Sequence, residues 1–304
     1  MPKKLTESQK RVLNKLEPEL RQACQSADLA SAKKAISLIQ EAFINDRDHF
    51  RILRAKNWYF EALLNAGNTE AAARGFETIQ LRARENTRIY LEAMTFLGIC
   101  FLRLGRIDEA KQTFRVVIPK ISNIRSDSKR QQYEKRLTER IEDECILGQL
   151  IGQERGDFIF EDLHKQTIEM IQKPEDEILE SIGSCVSTYT QTLLSDMTNY
   201  SIKLLPSSDQ KLLCAVKERT PNRELGKKAL AALKRIGWRT FCDESSEVHK
   251  LWKERVPKVF NEGYFTSAII ITLVQWKIGI PKLAIGLSAT AMKYGCHEFC
   301  HPST

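Results

Sequence analysis

Cys296-His297-Glu298-Phe299-Cys300-His301 gathers two thiols and two imidazoles in one short run, the ligand types that hold zinc in a tetrahedral shell. Cys242 and His249 would complete a four-ligand set. The spacing argues the other way. The paired Cys-x2-Cys arrangement is missing, and cysteines four apart share a helix face just as core residues do. No metal and no cofactor are therefore expected. Eight cysteines and five histidines offer thiol–imidazole pairs for nucleophilic catalysis, yet no local signature joins one of each. No Walker loop, GxSxG elbow or strand-borne GxGxxG is present, and no arginine stands four to six residues ahead of a histidine. The acidic triplets Glu142–Glu144 and Glu175–Glu177 suit solvated helix faces and first turns. A non-enzymatic protein is expected, with no small-molecule substrate evident.

A stronger signal comes from residues without reactive groups. Gly67, Ala72 and Phe76 recur at Gly105, Ala110 and Phe114, each 38 positions later. Self-similarity at 20–50 residues marks stacked supersecondary units. In the second copy Leu97-Gly98 leads to Phe101, Gly105, Ala110 and Phe114. Small Gly98 and Ala110 would let two antiparallel helices approach, Gly105 would end one helix, and Asp108-Glu109 would charge the first turn of the next. The first copy agrees from Gly67 to Phe76, but has Phe60 where the second has Gly98, and Trp58 is out of register by two. A weaker echo lies at Ala27-Asp28, Ala32 and Ile36.

This spacing resembles the tetratricopeptide repeat over residues 27–120, best in 91–119, with Met94 in place of the usual tryptophan. The resemblance implies helical hairpins whose inner helices present polar residues to a peptide groove. Those positions fall on Glu92, Thr95, Ile99, Leu102 and Arg103, and in the other copy on Arg54, Asn57 and Glu61. Arginine and asparagine suit the carboxylates and amides of a peptide ligand.

The helical pattern continues beyond the echo. Helices are expected at 7–25, 28–44, 48–66, 69–84, 88–104, 107–119, 127–154, 157–172, 175–198, 222–236 and 246–261. Turn signals around Leu205-Pro206-Ser207 and Thr220-Pro221-Asn222 place a domain boundary near 200. A helical-repeat domain (1–200) is thus expected before a smaller helical domain (201–304). The run Ala268–Val274 is rich in β-branched residues and has a strand as its alternative. The fold class expected is all-α.

Charge falls in blocks: +10 over residues 1–140, −10 over 141–200 and +8 over 201–304. Basic ends around an acidic waist suit contacts between oppositely charged surfaces. Lys217–Arg239 holds eight Lys/Arg against two Glu, and a helix there would turn Arg223, Lys227, Lys228, Lys234 and Arg235 toward phosphates if nucleic acid were the partner. Poor aromatic interleaving makes a solvated face the simpler reading.

Gly263–Trp276 and Leu283–Met292 carry no charge. Each is too short for a membrane span, and Lys277 and Lys282 would interrupt a joined one. A buried hairpin turning at Gly279-Ile280-Pro281 is expected over 264–294. A membrane or oligomer contact through Ile270, Leu273 and Trp276 is the functional alternative. The amino terminus lacks the apolar segment of an export signal, so a cytoplasmic place with reduced thiols is expected. The resulting expectation is an adaptor or sensor that binds a protein or peptide, with oligomerisation or effector output from the C-terminal domain. The competing readings are a membrane-active effector and a basic nucleic-acid-binding protein.

Overall fold

The computed structural model describes residues 4–211, 220–242, 246–253 and 263–295. Among these the chain is all-α, its only extended pairing an isolated bridge between Glu154 and Gly279. Two compact units form. One comprises residues 1–138 and 200–214, the other 139–199 and 215–304. Residues 139–199 thus belong with the C-terminal portion, whereas the turn signals near 200 suggested a simple cut there.

The first unit opens with three helical hairpins: α1 (Glu7–Gln25) with α2 (Leu29–Ala42), α3 (Phe50–Asn65) with α4 (Thr69–Gln80), and α5 (Arg88–Arg103) with α6 (Ile107–Val117). Each α1, α3 or α5 packs on its own partner, and α1 on α3, α3 on α5. Side-chain caps start the helices. Thr6 and Gln9 form a reciprocal capping box, Asp28 accepts from Ala30 and Ser31, and Thr87 accepts from Tyr90, satisfying N–H groups that have no partner within the helix.

All three hairpins turn in the same way. Ala27, Gly67 and Gly105 sit at φ 53°, 86° and 72°. The next residue in each case, Asp28, Asn68 and Arg106, donates its backbone N–H five residues back, at 2.9 Å, to Ala23, Leu63 and Phe101. This bond and a left-handed residue define a Schellman turn. Glycine fits it without strain; alanine at 27 does not.

The mismatch between Phe60 and Gly98 has a packing explanation. A Cβ on Gly98 would fall 2.5 Å from the ring of Phe114, so glycine on α5 admits an aromatic from α6. In the previous hairpin the roles are exchanged. A Cβ on Gly75 of α4 would fall 2.3 Å from the ring of Phe60 of α3. One small and one bulky partner fill each interface, whichever helix supplies them.

After a 3-10 turn at Ile118–Asn123, α7 spans Asp127–Leu150. The second unit holds α8 (Phe160–Ile171) and α9 (Glu175–Gly183). The single helix expected over 175–198 is broken, because Ser187 caps α10 (Thr188–Lys203) by accepting from Thr190. α11 (Ser207–Gln210) is one turn long; α12 spans Asn222–Phe241 and α13 Glu247–Lys253. The rest of the helix expected to 261 lies outside the described residues. Ala268–Val274 is helical within α14 (Tyr264–Gln275): among the described residues no strand stands beside it to pair with, and a helix satisfies its backbone locally. Pro281 occupies the first turn of α15 (Pro281–Tyr294), where its missing N–H costs nothing.

α9 and α12 approach to backbone contact. A Cβ on Gly183 would lie 1.8 Å from the Asn222 carbonyl oxygen, and one on Gly226 1.9 Å from that of Leu179. α15 packs on α8, α9 and α14, and every residue from Leu283 to Ala291 is buried. A helix apolar all round is a core element.

Candidate partner-binding face of the hairpins

Residues 17, 57 and 95 stand in equivalent places, 40 and 38 positions apart, like Ala27, Gly67 and Gly105. All three are buried and polar, and each reaches the next long helix. Glu17 on α1 receives a two-point bond from Arg51 of α3 (Nε 2.9 Å, Nη2 2.8 Å) and both oxygens lie 3.0 Å from Arg54 Nη2. Asn57 on α3 donates to the Ile89 carbonyl of α5 at 3.0 Å. Thr95 on α5 lies 2.9 Å from the hydroxyl of Tyr133 on α7, and burial pushes that phenol above its ordinary pKa. A second series joins helix ends. Asn65 donates to the Cys24 carbonyl at 3.2 Å, and Arg103 to the Leu64 carbonyl at 2.6 Å, satisfying last-turn carbonyls.

Asn57, Thr95 and Arg103 are therefore internal connectors, at 2 %, 7 % and 7 % exposure. They sit between hairpins, not on an open groove. Ile99 and Leu102 are also buried, so the face of α5 that the resemblance turns toward a ligand is covered. Arg54, Glu61 and Glu92 remain half-buried. Glu92 is held by Arg88 Nε at 2.7 Å, one turn earlier.

The part of this surface that stays half-exposed lies on α1 and α3 around Trp58, whose ring is partly buried against the core of the first hairpins. The Arg21 guanidinium carbon stands 4.3 Å from the centroid of the indole ring, and that of Arg54 5.1 Å, both within cation–π range. Arg21 is exposed, and no carboxylate pairs with it among the described residues. Arg54 Nε is buried and has no hydrogen-bond partner. Glu17 pairs with Arg51 and Arg54 and leaves Arg21 unmatched, so this group of four side chains carries a net positive charge. Beside it, Asn14, Glu17, Pro18, Arg21, Gln22 and Gln25 line a depression of about 470 Å³. Exposed carboxamides there can both donate to and accept from a peptide backbone. Arg21 and Arg51 were not among the residues singled out from sequence, and Trp58 was noted only as a repeat position out of register, not as a binding residue. The signal was present, since Arg51, Arg54 and Trp58 follow at i, i+3 and i+7 on one helix face; what placed Arg21 on the indole was the packing of α1 against α3.

No family model, curated protein or solved structure matches this chain.

In the second unit the charge blocks meet. Lys228 pairs with Glu142, Arg235 with Asp143, Arg223 with Asp176 at 2.6 Å, and Lys227 with Glu224 at 3.3 Å. The α12 basic face is thus matched by carboxylates, two of them from the acidic triplet 142–144. Packing of α9 on α12 and of α15 on α8 and α9 joins residues 139–199 to the C-terminal portion, and these ion pairs lie within that unit. Burial raises the Asp143 carboxyl against the pull of Arg235, and lowers Arg235 in turn.

Ile270 and Trp276 are half-buried and Leu273 is in the core at 1 % exposure; the apolar groups that α14 exposes are Tyr264, Ile271 and Val274. No helix among the described residues is long and apolar enough to cross a membrane. Cys24, Cys100, Cys145 and Cys185 are buried thiols outside any disulfide. Burial raises the thiols of Cys145 and Cys185, which disfavours the nucleophilic thiolate. Cys242, expected reduced, is disulfide-bonded, and so is not available as a thiolate ligand. His249 Nδ1 lies 3.0 Å from the Phe241 carbonyl oxygen. Cys296, His297, Cys300 and His301 lie outside the described residues, and among the described ones no three His, Cys, Asp or Glu side chains are grouped to hold a metal. Weighing the cysteine spacing alone passed over another pattern in that run: His297-Glu298-Phe299-Cys300-His301 has the order His-Glu-x-x-His, which on a helix sets two zinc-binding imidazoles on one face beside a glutamate base.

Proposed function

We propose that this chain is a non-enzymatic adaptor or sensor. It binds a protein or peptide partner through a tetratricopeptide-like stack of hairpins, and the second unit supplies oligomerisation or effector output. The observation that carries the reading is the cationic, aromatic patch of Arg21, Trp58 and Arg54. A large amphipathic ring flanked by guanidinium groups is the composition found at the centre of binding interfaces. The equivalent polar links at 17, 57 and 95 support it as scaffold, because they fix successive helices rigidly beneath the patch. Glu61 and Glu92 would extend the contact along α3 and α5. Capture with the intact protein, compared with Trp58→Ala and Arg21→Glu, tests the reading. A partner retained by the wild type and lost from both variants supports it; equal retention by all three removes the patch from the function.

The His-Glu-x-x-His order favours a second reading, zinc-dependent hydrolysis. Metal analysis of the purified chain separates the two. About one zinc per chain, lost on His297→Ala, would support an enzyme, and zinc-free protein would dismiss it.

A further inference from the structure

A pair of acids closes one end of the first unit. Glu134 of α7 and Asp209 of α11 are both 2 % exposed. One guanidinium lies between them: Arg130 Nε is 3.0 Å from Asp209 Oδ2 and 4.0 Å from Glu134 Oε1. The opposite edge of Arg130 is engaged by Asp127, 2.9 Å from Nη1, and by the Ile124 carbonyl. Among the described residues, the charged groups facing Glu134 are thus Arg130 from its own helix and Asp209 from α11. Glu134 Oε1 is buried and accepts no hydrogen bond. Asp209 shares the same guanidinium, and two ionised carboxylates have no donor between them, so this buried pair can hydrogen-bond only while one of them carries a proton.

Asp209 belongs to a segment that rejoins the first unit after a long excursion, residues 200–214. Besides the acid pair, Tyr200 attaches it by donating to the Lys111 carbonyl of α6 at 3.4 Å. Stacked helical units need their last face covered, and this returning segment lies against α6 and α7, the last helices of the stack.

We propose that one proton shared by Glu134 and Asp209 fastens the returning segment onto α7, so that closure of this end of the unit depends on pH. Burial is the main reason the Glu134 carboxyl is raised to about 7; Asp209 adds to the rise and Arg130 opposes it. In a released, solvated segment the same carboxyl would return to about 4.3. The closed form then binds the proton more tightly. Proton-linked closure is fully present below the released value, weakens as pH rises, and is lost above about 7.

Hydrogen exchange of the full chain, read on peptides covering residues 200–211 and corrected for intrinsic rates, tests this. Protection is expected to fall at least about tenfold between about pH 5 and about pH 8. Glu134→Gln, neutral at every pH, is expected to abolish that dependence. Protection equal at both values, or a Glu134→Gln profile that follows the wild type, would overturn the proposal. If the variant does not fold, infrared difference spectra of the wild type replace it. Loss of a buried protonated-carboxyl band across the same range is expected, and its absence would be equally fatal.

Discussion

Ala27 holds a left-handed conformation that its counterparts Gly67 and Gly105 adopt freely. Its methyl group makes that geometry unfavourable. Ala27→Gly is expected to stabilise the first unit by about 0.5–1 kcal/mol, the relief of strain exceeding the added freedom of the unfolded chain. Denaturant titration checks this as a rise in midpoint with unchanged slope. Glu17 makes the opposite case. Glu17→Gln leaves Arg51 and Arg54 largely buried without their counter-charge, with an expected loss of about 2–3 kcal/mol; a smaller loss in the same titration would mean that water already compensates these guanidinium groups. At this scale the sequence was readable where a backbone demand selects a residue type, as at Gly67 and Gly105. It was opaque where a polar side chain chooses between a ligand and a neighbouring helix. Arg103 and Arg54 look alike in one dimension, yet one binds a buried carbonyl and the other flanks an indole.

Among elements, the small–large pairs decide how closely helices pack. Gly183 and Gly226 bring α9 and α12 together with no room for a Cβ. Gly183→Ala should cost about 3 kcal/mol, against less than about 0.5 for the exposed Glu180→Ala on the same helix. Equal midpoints in thermal melts of the two variants would show that α9 can shift away. The exchange of Phe60–Gly75 for Gly98–Phe114 explains why the first copy looked defective from sequence: packing conserves the sum of volumes across an interface, not the helix that contributes the bulk. Helix existence was legible from periodicity and caps. The break at 184–187 was not, because Ser187 serves as a cap only once α9 has ended.

For the whole molecule, charge blocks proved informative about organisation. The acidic stretch 141–200 finds part of its complement in α12, while packing of α9 on α12 and of α15 on α8 and α9 takes residues 139–199 into the second unit and leaves 200–214 to return to the first. A linear division near 200 misses this, since turn signals mark where a chain bends and not where it goes afterwards. The buried α15 answers the question raised by the charge-free tail with a core helix, while Ile271 and Val274 stay exposed on α14. If that face contacts lipid, Ile271→Glu should abolish vesicle leakage caused by the intact protein; no leakage from the wild type would dismiss the membrane reading.

The central claim is that a partner is held by α1 and α3 around Trp58. Hydrogen exchange of the full chain, with and without the captured partner, tests it most directly. The account predicts added protection in peptides spanning residues 14–25 and 51–61, absent in Trp58→Ala. Protection confined to α12 or α14, with residues 14–61 unchanged, would contradict it.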